Sequence, residues 1–200
     1  IKKAKKKYLL NKKYFQKIEI IDVGCGGGLV CEPLARLGAK VSGLDFIRKN
    51  IQIAKQHALK ENLNINYFFS NINKLKLKKK YDVILLLEVI EHLNSWEEII
   101  KKTNDYLKPG GILIISSINR NLFSAITALF FAERVLKWIP KGTHSYNKLV
   151  KPEELIDVLK KNNFNILDLS GMVFNPLKRN WFLSEKSTRI NYFCTTQKIN

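Results

Sequence analysis

Hydrophobic and polar positions along the chain alternate between two periods. "IEIIDV" (18–23) is a short apolar run closed by glycines, the pattern of a buried strand. "LVCEPLARLG" (29–38) reads as a helix, with Leu29, Leu34 and Leu37 on one side and Gly38 as its stop. "KVSGLD" (40–45) is a second strand, and "IRKNIQIAKQHALKEN" (47–62) repeats Ile47, Ile51, Ala54 and Ala58 at helical spacing. Strands follow at 65–70 and 81–89; the latter is continuously apolar, as a strand covered on both faces must be. "SWEEIIKKTNDYL" (95–107) is a helix whose Ser95 and Glu98 have capping-box spacing, and "KPGG" (108–111) stops it before a strand at 112–117. A helix at 152–162 and strands at 164–171 and 189–198 complete the pattern. Strands alternating with helices at this spacing predict an α/β fold of parallel βαβ units with helices on both faces. No repeat or low-complexity linker interrupts the 200 residues, so a single domain over 1–200 is expected.

Composition adds a constraint on partners. Lys and Arg number 35 against 17 Asp and Glu, a net charge of +18. Such a surface suits nucleic acid, an anionic membrane or plain solubility. The segment 1–17, "IKKAKKKYLLNKKYFQK", is expected to be a solvated basic face at a truncated end, in preference to an RNA-binding arm. Cys25, Cys31 and Cys194 form no even framework and no metal-pair spacing, which fits a reducing compartment. No signal peptide is visible.

The densest chemistry lies in "IIDVGCGGGLVCEPLARLGAKVSGLD". Four glycines fall between Gly24 and Gly28 at a strand-to-helix turn, where the lack of Cβ atoms lets a ligand meet the backbone. A dinucleotide site prefers G-x-G-x-x-G; here Gly24 and Gly26 fill two places, but Leu29 stands at the third. No Gly-Lys-Ser/Thr follows, which excludes a P-loop. Asp45, ending the second strand, can take both hydroxyls of a ribose. That role suits NAD and S-adenosylmethionine (SAM) alike. SAM carries no phosphate and is positively charged, so Asp22 and the loop carbonyls favour it.

"DVGCGGG", "GLD", "EVIEHL" and "LKPGG", in this order, resemble a class I SAM-dependent methyltransferase. The further set "AKQHA", "EVIEH", "SINRN", "PKGTH", "KPEEL" and "INYFCTTQK" is similar to the ubiquinone-biosynthesis O-methyltransferases, from about Ile18 to the C-terminus. The resemblance implies a Rossmann-like, mostly parallel seven-stranded sheet with an antiparallel last strand. It implies methylation of a catechol-type hydroxyl on polyprenylated intermediates. Carried over, Gly24 and Asp45 become SAM contacts, Gly26 lines the loop, and Leu87 stands where the backbone meets the cofactor. Ser70 and Asn71 occupy the adenine side without the usual acidic residue. Family members extend further at the N-terminus and carry an arginine there, where this chain offers at most Lys5.

A phenol is a poor nucleophile at neutral pH, so its proton must be removed by a base or its charge spread by a cation. "EVIEH" places Glu88, Glu91 and His92 where the fourth strand ends. The resemblance implies that some members use these three as ligands for Mg²⁺ or another divalent cation. Without metal, His92 or His144 is the expected base, while His57 reads as a helix-surface residue. "NLFSAITALFFAERVLKWIP" (121–140) is apolar nearly all round yet too short and too charged to span a bilayer. It is expected to be a membrane-interface or lid helix. The implied partners are a polyprenylated phenol or quinol, an anionic membrane surface and other quinone-biosynthesis enzymes, with nucleic acid disfavoured. The implied location is cytoplasmic, peripheral to the inner membrane, or on the mitochondrial matrix side in a eukaryote. Two alternatives stand: a methyltransferase of another small acceptor, and a basic RNA-binding module using residues 1–17 and the lysines at 74–80.

Overall fold

A computed structural model describes residues 15–72, 76–77, 79–121, 148–175 and 179–199. The first strand, β1 (Glu19–Val23), leads through the glycine turn into α1 (Cys31–Arg36). Then come β2 (Lys40–Asp45), α2 (Arg48–Lys60), β3 (Asn66–Phe69) and β4 (Tyr81–Leu87). A single 3₁₀ turn (Ile90–His92) precedes α3 (Trp96–Tyr106) and β5 (Leu107–Ile118). The chain closes with α4 (Pro152–Lys161), β6 (Phe164–Asn175), β7 (Asn180–Ser184) and β8 (Asn191–Lys198).

The strands form one sheet in the order β3-β2-β1-β4-β5-β8-β6-β7. The β1–β2, β1–β4, β2–β3 and β4–β5 pairs are parallel. β8 runs antiparallel between β5 and β6. The order reverses beside β1, so the carboxyl ends of β1 and β4 diverge and leave the crevice in which open α/β sheets bind ligands.

Alternate residues of the central strands feed two cores, one on each face. Ile21, Ile84, Leu86, Leu113 and Ile115 pack toward Ile99 and Ile100 of α3 and Leu155 and Leu159 of α4. Ile20, Val41 and Leu85 pack toward Ile51, Ala54 and Ala58 of α2. A period of two along a strand makes this division automatic. It also explains why β4 and β5 read as unbroken apolar runs: both faces are covered.

Three details differ from expectation. Eight strands are present among the described residues rather than seven, because "NWFLS" forms β7 and pairs antiparallel with β6. Three adjacent bulky residues gave that segment no alternation to read. "KPGG" does not separate helix from strand; β5 begins at Leu107, with Gly110 at φ 69° carrying the backbone through an irregular join to β4. Ser95 is the N-cap of α3 but makes no side-chain capping bond. A carboxylate does cap α4, where the Lys151 N–H donates to Glu154 Oε2 at 3.1 Å.

Ile115 is fully buried in the middle of β5. Ile115→Ala should cost about 2–5 kcal/mol in denaturant unfolding. Leu167→Ala, at a half-exposed position of β6, should stay within about 0.5 kcal/mol.

Candidate active site

The glycine turn is held from the strand beside it. The Gly24 and Cys25 N–H groups donate to the Leu44 carbonyl at 2.7 and 3.0 Å. Asp45 does more. Its Oδ2 accepts from the Gly26 N–H at 2.9 Å, and its Oδ1 from the Ile47 N–H at 2.7 Å. Asn50 adds a longer contact to Oδ1 at 3.4 Å. Asp45 is 4% exposed and forms no ion pair among the described residues. A carboxylate has about four lone-pair positions, so acceptor capacity remains for a ligand's hydroxyls.

Two glycines do different work. Gly24, at φ 87°, faces Val89: a Cβ there would lie 2.4 Å from Val89 Cγ2, so the turn is pressed against the segment that follows β4. Gly26, at φ 53°, would direct a Cβ into open space. The bend is bare on that side, as a ligand-holding turn must be. Leu29, in the place of a third glycine, is 85% exposed and does not enter the bend. Phe46 and Ile47, directly after Asp45, are 56% and 43% exposed. Neither was singled out as a rim residue in the sequence, where Ile47 read as the first apolar position of the helix and Phe46 lay outside it.

Beneath the turn lies Asp22, 3% exposed, with Cys31 Sγ donating to its Oδ2 at 3.4 Å. Burial pushes its carboxyl up to about 6, and the Asp45 charge adds to the rise.

The second half of the site is the tip of β4. Leu87 ends the strand, in register with Ser116 of β5. Glu88 then takes φ 54°, a left-handed conformation that costs a non-glycine residue energy. Ser116 fixes it there. The Glu88 N–H donates to the Ser116 carbonyl at 3.1 Å, and Ser116 Oγ donates to Glu88 Oε1 at 2.7 Å. Ser117 Oγ donates to Glu91 Oε2 at 3.1 Å. Glu91 is 2% exposed, and its Oε1 has no hydrogen-bond partner among the described residues. Burial, reinforced by the charge of Glu88, pushes its carboxyl up to about 8. The two serines were not singled out in the sequence; the signal was a pair of hydroxyl residues ending an otherwise apolar strand.

His92 lies on the same turn and is exposed. Glu88, Glu91 and His92 are therefore brought together along the chain, but the expected three-ligand cluster is not gathered. Among the described residues no three His, Cys, Asp or Glu side chains converge on a point where a metal could sit. The reason is local: Glu91 turns inward against Ser117, whereas His92 turns outward. The Glu88–Glu91 pair nevertheless offers oxygen donors, and one buried oxygen still lacks a partner. That chemistry fits a hard divalent cation. His57 sits on α2 with its side chain 64% exposed, 3.8 Å from Glu32, as a surface residue. His144, Lys5, the segment 1–14 and residues 122–140 lie outside the described residues.

A glycine turn bonded to an acidic residue one strand over, at the switch point of a 3-2-1-4-5 sheet, is the arrangement with which open α/β sheets hold a nucleoside-bearing ligand. The chain matches the family described as a methyltransferase domain over residues 2–169. Among solved structures it is similar to magnesium protoporphyrin IX methyltransferase from Synechocystis PCC 6803 with bound SAH. The TM-score is 0.68 at 21% identity, covering 98% of this chain and 81% of that one. A SAM-dependent methyltransferase from Methanosarcina mazei matches with a TM-score of 0.69 at 20% identity, covering 96% and 98%. At these identities the likeness concerns the fold.

Sequence relatives narrow the family. A ubiquinone biosynthesis O-methyltransferase of Pelagibacter ubique is 47% identical over 180 residues, 90% of this chain and 75% of that protein. One from Rickettsia prowazekii is 42% identical over 185 residues, 92% and 73%. The chain belongs to the ubiquinone biosynthesis O-methyltransferase family.

Two outcomes test this geometry. Gly26→Ala should leave the fold intact apart from about 1 kcal/mol of backbone strain, yet abolish the heat of SAM binding in calorimetry. Asp22, at its ordinary value of 3.8 when unfolded and about 6 when folded, binds its proton more tightly in the native state. Stability should therefore fall as pH rises from about 3.8 to about 6, and Asp22→Asn should flatten that part of a denaturant-midpoint profile.

Proposed function

We propose that the chain transfers a methyl group from SAM to a catechol-type hydroxyl of a polyprenylated ring in ubiquinone biosynthesis. The observation that carries this reading is the bare Gly26 bend bonded to the Asp45 carboxylate. That pair supplies an uncovered backbone for the donor's sulfonium end and an acceptor for its ribose, while exposed Phe46 and Ile47 offer apolar surface to a flat base. Membership of the family named for ubiquinone biosynthesis supports the acceptor.

SAM supplies the activated methyl, so the protein's work is to place the two reactants in line and keep water away. The acceptor oxygen would sit beyond the tip of β4, facing Leu87 and Glu88. Its electron pair forms the new carbon–oxygen bond as the carbon–sulfur bond breaks, and the phenolic proton leaves to a base. His92 stands on the turn that meets the acceptor, and His144 is the other imidazole we assign as candidate. Glu88 and Glu91, with His92 beside them, are the residues that would hold a divalent cation. Such an ion would lower the pKa of both catechol oxygens.

An isoprenoid tail partitions into lipid, so we place the protein in the cytoplasm at the inner membrane surface, with residues 121–140 as one contact. No described helix is long and apolar enough to cross a membrane. The net charge of +18 supports attraction to an anionic surface, at about 1 kcal/mol for each basic residue near it.

Methylation of a demethylated polyprenyl catechol with SAM tests the reading directly. Asp45→Asn keeps one acceptor oxygen but loses the charge, and should weaken SAM binding roughly tenfold to a hundredfold. EDTA should lower turnover and added Mg²⁺ restore it if the acidic pair holds an ion; full turnover in EDTA would assign the proton to a histidine. SAM binding without methylation of any polyprenyl catechol would leave the fold assignment standing and remove the acceptor.

A further inference from the structure

The β6–β7 hairpin stands apart from the rest of the sheet. In register, Ser116 of β5 faces Phe193 of β8, and Phe193 faces Ser170 of β6. Beyond that level β5 ends at Ile118, and β6 continues through Asn175 paired with β7, with Ser187 and Asn191 against its first two residues, Gly171 and Met172. The two-stranded extension therefore projects past the sheet on the active-site side. β7 is the outer strand of the sheet among the described residues.

Its sequence does not suit an aqueous edge. Trp181, Phe182 and Leu183 are 61%, 46% and 63% exposed. Neighbours in a strand point to opposite faces, so bulky apolar surface is presented on both sides of the ribbon. Soluble proteins protect edge strands with charge or proline rather than with three consecutive large hydrophobics. Exposed Arg179, Lys186 and Arg189 surround the strand against one exposed carboxylate, Glu185.

We propose that this hairpin docks into the interface of an anionic membrane, with Trp181, Phe182 and Leu183 entering the headgroup–acyl boundary and Arg179, Lys186 and Arg189 facing the phosphates. Two observations favour lipid over a second copy of the chain. Strand pairing through the β7 edge would cover its backbone but leave both side-chain faces in water, whereas lipid covers both at once. A second copy would also bring the same three cations against themselves, in a protein already at +18. Aromatic rings and basic side chains on an apolar ribbon are the components that hold proteins at bilayer surfaces. The projection places the active-site end of the sheet toward the bilayer. The inference shares its lipid partner with the proposed contact of residues 121–140, but concerns a different element and is tested separately.

Vesicles of phosphatidylcholine with and without phosphatidylglycerol, floated with the full chain, provide the test. The triple variant W181S/F182S/L183S should lose flotation on anionic vesicles while keeping the SAM binding of the parent. R179Q/K186Q/R189Q should weaken partitioning by about fivefold for each charge removed, more than the charge-matched K55Q/K60Q/K101Q. A polarity-sensitive dye on L183C, in a chain whose native cysteines are buried, should shift to the blue on anionic vesicles only. Undiminished flotation of both hairpin variants, with loss only on substitution within residues 122–138, would overturn the hairpin and leave the other contact standing. No dye shift would overturn it as well. Lipid-independent dimerisation abolished by W181S/F182S/L183S would assign the strand to a second copy instead.

Discussion

The site depends on one carboxylate. Asp45 accepts backbone N–H groups from Gly26 and Ile47, and so ties the glycine turn after β1 to the chain leaving β2. The Leu44 carbonyl holds the start of the turn, and Asp45 holds its middle, where the glycines would otherwise leave the backbone free. A carboxylate suits the task because charge-assisted bonds to amides are stronger than neutral ones and leave acceptor positions free. The residue that orders the bend is thus also the one with acceptor positions left for a ligand. Organising the bend in advance reduces the entropy lost when a ligand arrives.

The opposite wall is organised by the same device from another strand. Ser116 and Ser117, both buried, use their hydroxyls to hold Glu88 and Glu91. Parallel pairing makes this possible: the Leu87–Ser116 register brings the last residues of β4 and β5 level, so hydroxyls on one strand meet carboxylates leaving the other. Glu88 keeps a positive φ because Ser116 bonds both its backbone and its side chain. Strain at a strand tip, held by Ser116, marks a residue positioned for more than packing.

Much of this was legible in the residues. The short apolar runs of β1 and β4, the helical spacing of Ile51, Ala54 and Ala58, and the glycines ahead of Asp45 announced the α/β order and the turn. Burial follows hydrophobic spacing, and turns follow backbone permissiveness; both are local. What was not legible depends on partners far along the chain. Ser116 and Ser117 gain their role only through pairing with β4. β7 exists only because β6 overshoots the sheet and offers it an edge, which no periodicity in "NWFLS" reveals. Glu91 turns inward and His92 outward because of a single 3₁₀ turn, so spacing alone suggested a convergence that the backbone does not make.

Charge gives the arrangement its sense. In a chain of net charge +18, every buried ionisable acid among the described residues, Asp22, Asp45 and Glu91, lies at the carboxyl edge of the central strands. No described Lys or Arg is buried with them. Burying unpaired carboxylates is costly, and the upward shifts at Asp22 and Glu91 express that cost. A core assembled for stability alone would pair these groups or replace them. Clustered at a crevice in a positive protein, they are acids whose charged forms burial disfavours and a cationic ligand would favour. A sulfonium donor beside Asp22 and Asp45, and a divalent ion beside Glu88 and Glu91, are the two cations that the proposed function would bring there. The basic exterior acts on a different scale, since the field of a net charge reaches past the whole molecule, whereas the buried acids act only within a few ångströms.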